Sequence, residues 1–276
     1  MNFTVREYQP SAALSPFVDC YWEGVFNLNA QQDAAFRMVP NACLEMIIHL
    51  DDVKCHLPNA NGWAQTPDYM LIGLLTSAQQ VRFIGKVPVF TIRFKPEALY
   101  HLFRVEGTEV RDRYVDTDAL LDSKFRELAH RIREADTMER RITLAEHFLR
   151  NIVSYRKPEP DYVIRAAELM RQTYTVNIKD IAGEVCISQR QLERKFREVM
   201  GVSPKQYLHL TRINKVVRLL QKQYPLDLTS VAYHCGYFDQ AHFIKDFQRI
   251  TGYKPSIYSR EKQRFVALPG QVNIGD

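Results

Sequence analysis

Long apolar runs, clustered cysteines and a leader-like start are all missing from this 276-residue sequence, and each absence removes a class of protein. No stretch approaches the roughly 18 to 20 apolar residues that a membrane-spanning helix requires. The start, MNFTVREYQPS, lacks the basic-then-apolar plan of a secretion signal, so the chain is expected in the cytosol. Five cysteines (Cys20, Cys43, Cys55, Cys186, Cys235) are odd in number, dispersed and without a C-x-x-C pair. That pattern fits neither a disulfide framework nor a thiolate zinc site, and the five read as reduced core thiols. A large net charge is missing too, but the modest +5 is unevenly placed. Residues 1 to 154 carry 17 Lys+Arg against 20 Asp+Glu, and residues 155 to 276 carry 20 against 12, that is −3 and +8. A basic C-terminal part is the asymmetry expected of a chain that meets a polyanion.

With 46% hydrophobic residues the chain can bury a sizeable core, and its length favours two domains over one. The first hundred residues read as strands, AFRMVP, CLEMIIHL, YMLIGLLT, QVRFIG and VFTIRF, separated by Pro, Gly, Asn and Asp. In CLEMIIHL, Leu44, Met46, Ile48 and Leu50 share one face and Glu45, Ile47 and His49 the other, which predicts a half-buried strand. VFTIRF sets Phe90, Ile92 and Phe94 against Thr91 and Arg93. Many short strands without intervening helices predict a barrel or sandwich. From about Asp116 the period changes, and Leu121, Phe125, Leu128 and Ile132 form a helical stripe. A second helix follows, opened by a capping box of Asp136 with Glu139 and carrying the stripe Ile142, Ala145, Phe148, Leu149 and Ile152. SYRKPEP, at 154–160, reads as a linker.

Beyond it the chain repeats itself with a period near 50 residues. Ile178, Ile181 and Ala182 recur fifty positions later as Leu228, Val231 and Ala232. After one inserted residue, Ser188, Leu192, Phe196, Gly201 and Pro204 recur at fifty-one as Asp239, Phe243, Phe247, Gly252 and Pro255. Each copy reads as helix, tight turn, helix. The small alanine lets the helices cross closely, and the apolar pair at i and i+4 packs the second helix onto the first. Ser188 and Asp239 suit N-caps, Gly201 and Gly252 left-handed C-caps.

With those pairs turned inward, the first unit faces outward with Gln189, Arg190, Glu193, Arg194 and Arg197. The second offers Gln240, Ala241, His242, Ile244, Lys245 and Gln248. Arg and Gln on the leading turns of such a helix read guanine and adenine edges in the major groove. Lys195, Lys205 and Lys254 are placed for phosphates. One helix, Pro204 to Gln223, joins the units and spans about 30 Å at 1.5 Å per residue, near the roughly 34 Å between successive major-groove faces.

These C-terminal residues resemble the AraC/XylS family of bacterial transcription regulators. The likeness covers about Tyr162 to Arg260, and is carried by Ile181 through Ser188, Leu192, Phe196 and Gly201 to Pro204, by Arg212 and Ile213, and by GYFDQAHFIKDFQRITGYKP from Gly236 to Pro255. Upstream, YQPSAALSPFVDCYW, VPNACLEMIIHL and RFKP resemble a poorly characterised, cupin-like domain found ahead of some of these regulators. The resemblance implies an α+β chain. Residues 1–153 are expected as a sensor or dimerisation domain (strands to 115, then helices), 154–160 as linker, 161–264 as DNA-binding domain and 265–276 as tail. It also implies an activator or repressor that binds double-stranded DNA in the cytoplasm and associates with the nucleoid when bound. A small-molecule effector, RNA polymerase and a second copy of the chain are its further partners, and no membrane is.

No catalytic residue, metal or cofactor is assigned, and no enzyme is expected. The competing reading is a metal-dependent enzyme using Glu45, His49, Cys55 and His56, or a DNA-repair methyl acceptor. Its spacing matches no strong ligand pattern, and the cysteines are too scattered for the second variant.

Overall fold

A computed structural model describes residues 2–27, 35–154, 162–221 and 227–266. Nine strands come first: β1 (Asn2–Tyr8), β2 (Val18–Asn27), β3 (Ala35–Met38), β4 (Leu44–His49), β5 (Cys55–Asn59), β6 (Gly62–Gln65), β7 (Tyr69–Ile72), β8 (Gln79–Phe83) and β9 (Lys86–Phe94). Two short helices follow, α1 (Ala98–Phe103) and α2 (Gly107–Val110), then β10 (Tyr114–Asp116), α3 (Thr117–Leu120), α4 (Ser123–Glu134) and α5 (Met138–Ser154). The helical part comprises α6 (Tyr162–Gln172), α7 (Ile178–Glu184), α8 (Gln189–Met200), α9 (Pro204–Gln221), α10 (Leu228–His234), α11 (Gln240–Thr251) and α12 (Pro255–Arg260), and β11 (Phe265–Val266) closes it. The fold class is α+β. Among the described residues no helix is long and apolar enough to cross a membrane.

The strands form two sheets, one of six in the order β1-β2-β9-β4-β7-β10 and one of five in the order β11-β3-β8-β5-β6. Among the described residues these do not close into a barrel, so the sandwich expectation holds and the cupin-like barrel does not. Period-two alternation explains the stacking. Trp22, Ile47, Val87 and Val89 turn toward Phe36, Val81 and Phe83 of the second sheet. The opposite parity, Leu44, Met46, Ile48, Phe90, Ile92 and Phe94, packs with Phe125, Leu128, Ile132 and Leu149 of α4 and α5. Strand β4 is therefore buried at all six positions rather than half-buried. Both of its faces are covered, one by the second sheet and one by helices. Of its two polar residues, Glu45 survives there by pairing: it accepts from Trp22 Nε1 at 2.9 Å and from Arg93 Nε at 2.6 Å.

Three further expectations shift. Strands β1, β2, β5 and β6 lie outside the runs read from sequence. The start of α5 is capped by Thr137, whose hydroxyl accepts from Arg140 N at 3.3 Å, one residue after Asp136. Of the cysteines, Cys20, Cys55 and Cys235 are buried, Cys43 is half-buried and Cys186 is exposed, so the core reading fails for the last. Most of the linker and most of the tail lie outside the described residues. Phe265–Val266, at the tail's start, pairs in parallel with β3.

The apolar core does not stop at the sheets. The cluster that fills the space under α4 and α5 runs on through Ala167, Met170, Phe196, Tyr207 and Ile213 to Phe243 and Phe247. A buried fork crosses the same seam: Arg171 donates to both Glu97 carboxylate oxygens at 3.1 and 2.7 Å and to Tyr207 Oη at 2.9 Å, with Glu97 wholly buried. Burial lowers and the Glu97 carboxylate raises the Arg171 pKa, with the rise winning.

Candidate nucleic-acid interface

Each helix-turn-helix unit is built by local backbone chemistry. In the first, Asn177 Oδ1 accepts from Lys179 N and starts α7. The turn after α7 is a Schellman motif, in which Ile187 N reaches Ala182 O at 3.0 Å and Cys186 N reaches Gly183 O at 3.1 Å. Ser188 then caps α8 and shares a reciprocal capping box with Gln191, and Gly201 ends the helix at φ +74°. The second unit repeats the script. Asp227 caps α10, Tyr237 N reaches Ala232 O and Gly236 N reaches Tyr233 O, both at 3.0 Å. Asp239 caps α11 through His242 N, and Gly252 ends it at φ +81°. Ala182, Ala232, Leu192, Phe196, Phe243 and Phe247 are all buried, as the repeat requires.

The outward faces are open. Gln189, Arg190, Arg194 and Arg197 are exposed on α8, and Glu193 is half-buried, with Gln189 Nε2 donating to its Oε1 at 3.1 Å. Gln240, Ala241, His242, Lys245 and Gln248 are exposed on α11, and Ile244 is half-buried. Lys205, at the start of α9, and Lys254, before α12, are exposed. Lys195 points elsewhere: its Nζ pairs with Glu198 at 2.7 Å, and Glu198 also accepts from Tyr100 Oη of α1 at 3.0 Å. The hydrogen bond from Lys195, aided by that from Tyr100, holds the Glu198 carboxyl below its usual range despite partial burial. Two exposed side chains were missed from sequence, Tyr233 and Phe238. Phe238 is the residue inserted into the second turn, and its being extra to an otherwise matched repeat was the available signal.

The trailing ends of α8 and α11 rest on the N-terminal half. At the end of α8, Arg111 Nη1 donates to Gly201 O at 2.8 Å, and a Cβ on Gly201 would lie 2.4 Å from Gly107 O. At the end of α11, Ala78 N donates to Ile250 O at 2.7 Å, and Arg37 lies over the Tyr253 ring. Between them Asn214 Nδ2 of α9 donates to Asn41 O at 2.7 Å.

The competing metal set comes apart. Glu45 is committed to Trp22, Asn41 and Arg93, and His49 Nδ1 lies 3.1 Å from Asp68 O, while burial lowers the His49 pKa. Among the described residues these four do not form a group able to hold an ion.

Comparison with known proteins agrees with this geometry. Residues 181–261 match the model of a helix-turn-helix domain, and residues 6–116 that of a domain of unknown function (DUF6597). The HTH-type transcriptional activator RhaS of Escherichia coli O157:H7 is 34% identical over 80 residues, which are 29% of this chain and 28% of that protein. RhaS of Escherichia coli strain K12 / DH10B is 32% identical over the same length. The chain thus spans little more than a quarter of the length of the curated relatives it matches. Among solved structures, ToxT from Vibrio cholerae shares the fold at 14% identity, covering 94% of this chain and 98% of that one with a TM-score of 0.50. The C-terminal part of the chain thus matches a helix-turn-helix domain, built here as a double unit and similar over its length to the transcriptional activator RhaS. It is carried behind a distinct N-terminal domain.

Proposed function

We propose that the chain is a sequence-specific transcription regulator whose recognition helices α8 and α11 enter successive major grooves of one duplex under control of the N-terminal domain. One observation carries this reading. The leading turns of both helices are exposed, with Gln189 and Arg190 on one and Gln240, Ala241 and His242 on the other, while both trailing ends abut the N-terminal half. The 18 residues of α9, at 1.5 Å each, span about 27 Å, short of the roughly 34 Å groove spacing by an amount the flanking turns can supply. Arg190, Arg194 and Arg197 on α8 and the glutamines on both helices are the base readers, and Lys205 and Lys254 the phosphate contacts. Because α5 ends at Ser154 and α6 begins at Tyr162, residues 1–153 form the controlling domain and 161–264 the reading domain.

Control acts through an effector or a second copy of the chain. A cleft of about 1060 Å³, lined by Leu102, Phe103, Phe125, Leu128, Phe148 and Ile152, offers apolar surface to either. Footprinting of the full chain on genomic fragments it retains tests the proposal. The expected result is two protected patches one helical turn apart on one face of the duplex, both weakened by Arg194→Ala. A single patch unaffected by that substitution would overturn it. Light scattering of the full chain, with and without bound DNA, separates a monomer under effector control from a dimer.

A further inference from the structure

Three side chains converge on the outer side of the second unit. His209 projects from α9, His242 from the first turn of α11, and Asp246 from the next turn of α11. One ligand atom from each, all within 4.8 Å of one another, bounds a common point. His209 Nδ1 is hydrogen-bonded to Asp246 Oδ2, and His242 Nε2 lies 3.7 Å from that same oxygen. Two imidazoles therefore aim at one carboxylate oxygen, and the second sits beyond hydrogen-bonding distance. The Asp246 carboxylate is buried, and its other oxygen is already fixed by Arg249 Nη2 at 3.0 Å. The buried Tyr237 hydroxyl has no hydrogen-bond partner among the described residues, and its ring lies 5.5 Å from that of His242.

We propose that His209, His242 and Asp246 form a site for a divalent transition-metal ion of the zinc class, bridging the linker helix to the second recognition helix. The donor set is two imidazoles and one carboxylate, three protein ligands with a fourth position open. Hard cations such as Mg²⁺ and Ca²⁺ seek oxygen cages instead. Ligand atoms about 2.1 Å from a tetrahedral ion lie about 3.4 Å apart, so the 3.7 Å gap closes with a small rotation of the exposed His242 ring. Arg249 supplies the outer hydrogen bond that orients a ligating carboxylate. A bound ion replaces the proton shared by His209 and Asp246 and ties α11 to α9. It also withdraws His242 from the leading turn that faces DNA. The first unit has Gln191 and Lys195 at the matching positions and cannot build the same site.

Titration of the chelator-treated full chain with Co²⁺, followed by displacement with Zn²⁺, tests the assignment without DNA. One equivalent of Co²⁺ should bind with a visible d–d spectrum of nitrogen and oxygen ligation, and Zn²⁺ should displace it and raise the Tm. His242→Ala removes a surface group, and His209→Gln gives a second variant. Each should weaken Co²⁺ by at least the roughly 10- to 100-fold that loss of an outer-shell partner costs, and abolish the Tm rise. Absence of saturable binding at millimolar ion, unchanged affinity in both variants, or a thiolate charge-transfer band placing the ion on a cysteine would each overturn the proposal.

Discussion

In the first helix-turn-helix unit the left-handed position of the turn is held by Cys186 at φ +57°, and fifty residues later the second unit holds it with Gly236 at φ +79°. The backbone hydrogen bonds around the two are the same, 5-residue and 3-residue closures of 3.0 to 3.1 Å. What differs is chemistry. The first unit presents three arginines, Arg190, Arg194 and Arg197, and its trailing end meets the N-terminal half backbone to backbone at Gly107 and Gly201. The second presents Lys245, His242 and Arg249, and its trailing end combines the Ala78 N–Ile250 O backbone bond with the side chain of Arg37, which lies nearest Gly252. One backbone plan thus carries two different outward faces, and a Cβ at its C-cap would meet backbone at Gly201 but a movable side chain at Gly252.

Removing the clamp beneath the first unit should have the largest effect. Arg171→Ala leaves the wholly buried Glu97 carboxylate and the Tyr207 hydroxyl without their partner. A loss of about 3 to 5 kcal/mol is expected for breaking a buried pair on one side, read by urea unfolding. A loss below about 1 kcal/mol, the scale of an exposed pair, would show that this clamp does not hold the unit. Next comes the pair of C-cap glycines. Gly252→Ala should cost about 1 to 2 kcal/mol for a left-handed alanine, since the nearest atom is the movable Arg37 Nη1 at 2.9 Å. Gly201→Ala should cost clearly more, because its Cβ would fall 2.4 Å from the backbone oxygen of Gly107. Equal losses would erase the contrast between the surroundings of the two C-cap glycines.

The repeat was legible because every matched position answers a local need: a cap, a crossing alanine, an inward i,i+4 pair. Ser188, Gly201, Phe243 and Gly252 took the places their chemistry demanded. The sheet was less legible. Strand β4 alternates like a half-buried strand, yet Glu45 and His49 face a second sheet, and nothing local to LEMIIH reveals the distant partners Trp22 and Arg93. Lys195 shows a related limit. It was placed for phosphate as a residue flanking the outward face, while its partner Glu198 also accepts from Tyr100, ninety-eight residues away in sequence. His209 and Asp246 were invisible as a pair because they lie on different helices, although the four-residue step from His242 to Asp246 was there to be seen.

On DNA the contrast between faces should appear as unequal losses. Arg194→Ala should weaken specific binding by roughly 1 to 3 kcal/mol if it reads a base, and Lys245→Ala on the milder face by less, both by titration on the footprinted site. Lys205→Ala should lower affinity evenly across sequences and reduce the salt slope by about one. A Lys245→Ala loss equal to that of Arg194→Ala would make the two faces equivalent readers.

The smallest effect lies in the turns themselves. Cys186 bears a left-handed penalty of about 1 to 2 kcal/mol, partly offset because glycine loses about 0.5 to 1 kcal/mol more backbone freedom on folding. Cys186→Gly should therefore stabilise the chain by about 1 kcal/mol or less, a rise of a few degrees at most in Tm for a domain of this size. The reverse exchange is not symmetrical. A Cβ at Gly236 would lie 2.8 Å from the backbone oxygen of Tyr174 and 3.3 Å from Thr175 Cγ2, so Gly236→Cys bears both the left-handed penalty and a collision with the chain ahead of α7. The second turn is glycine because α6 and its following loop pass close by, and the first, which faces solvent at Cys186, is free of that demand. If Cys186→Gly lowered the Tm, or Gly236→Cys left it unchanged, neighbouring backbone would not be what selects the residue at this position.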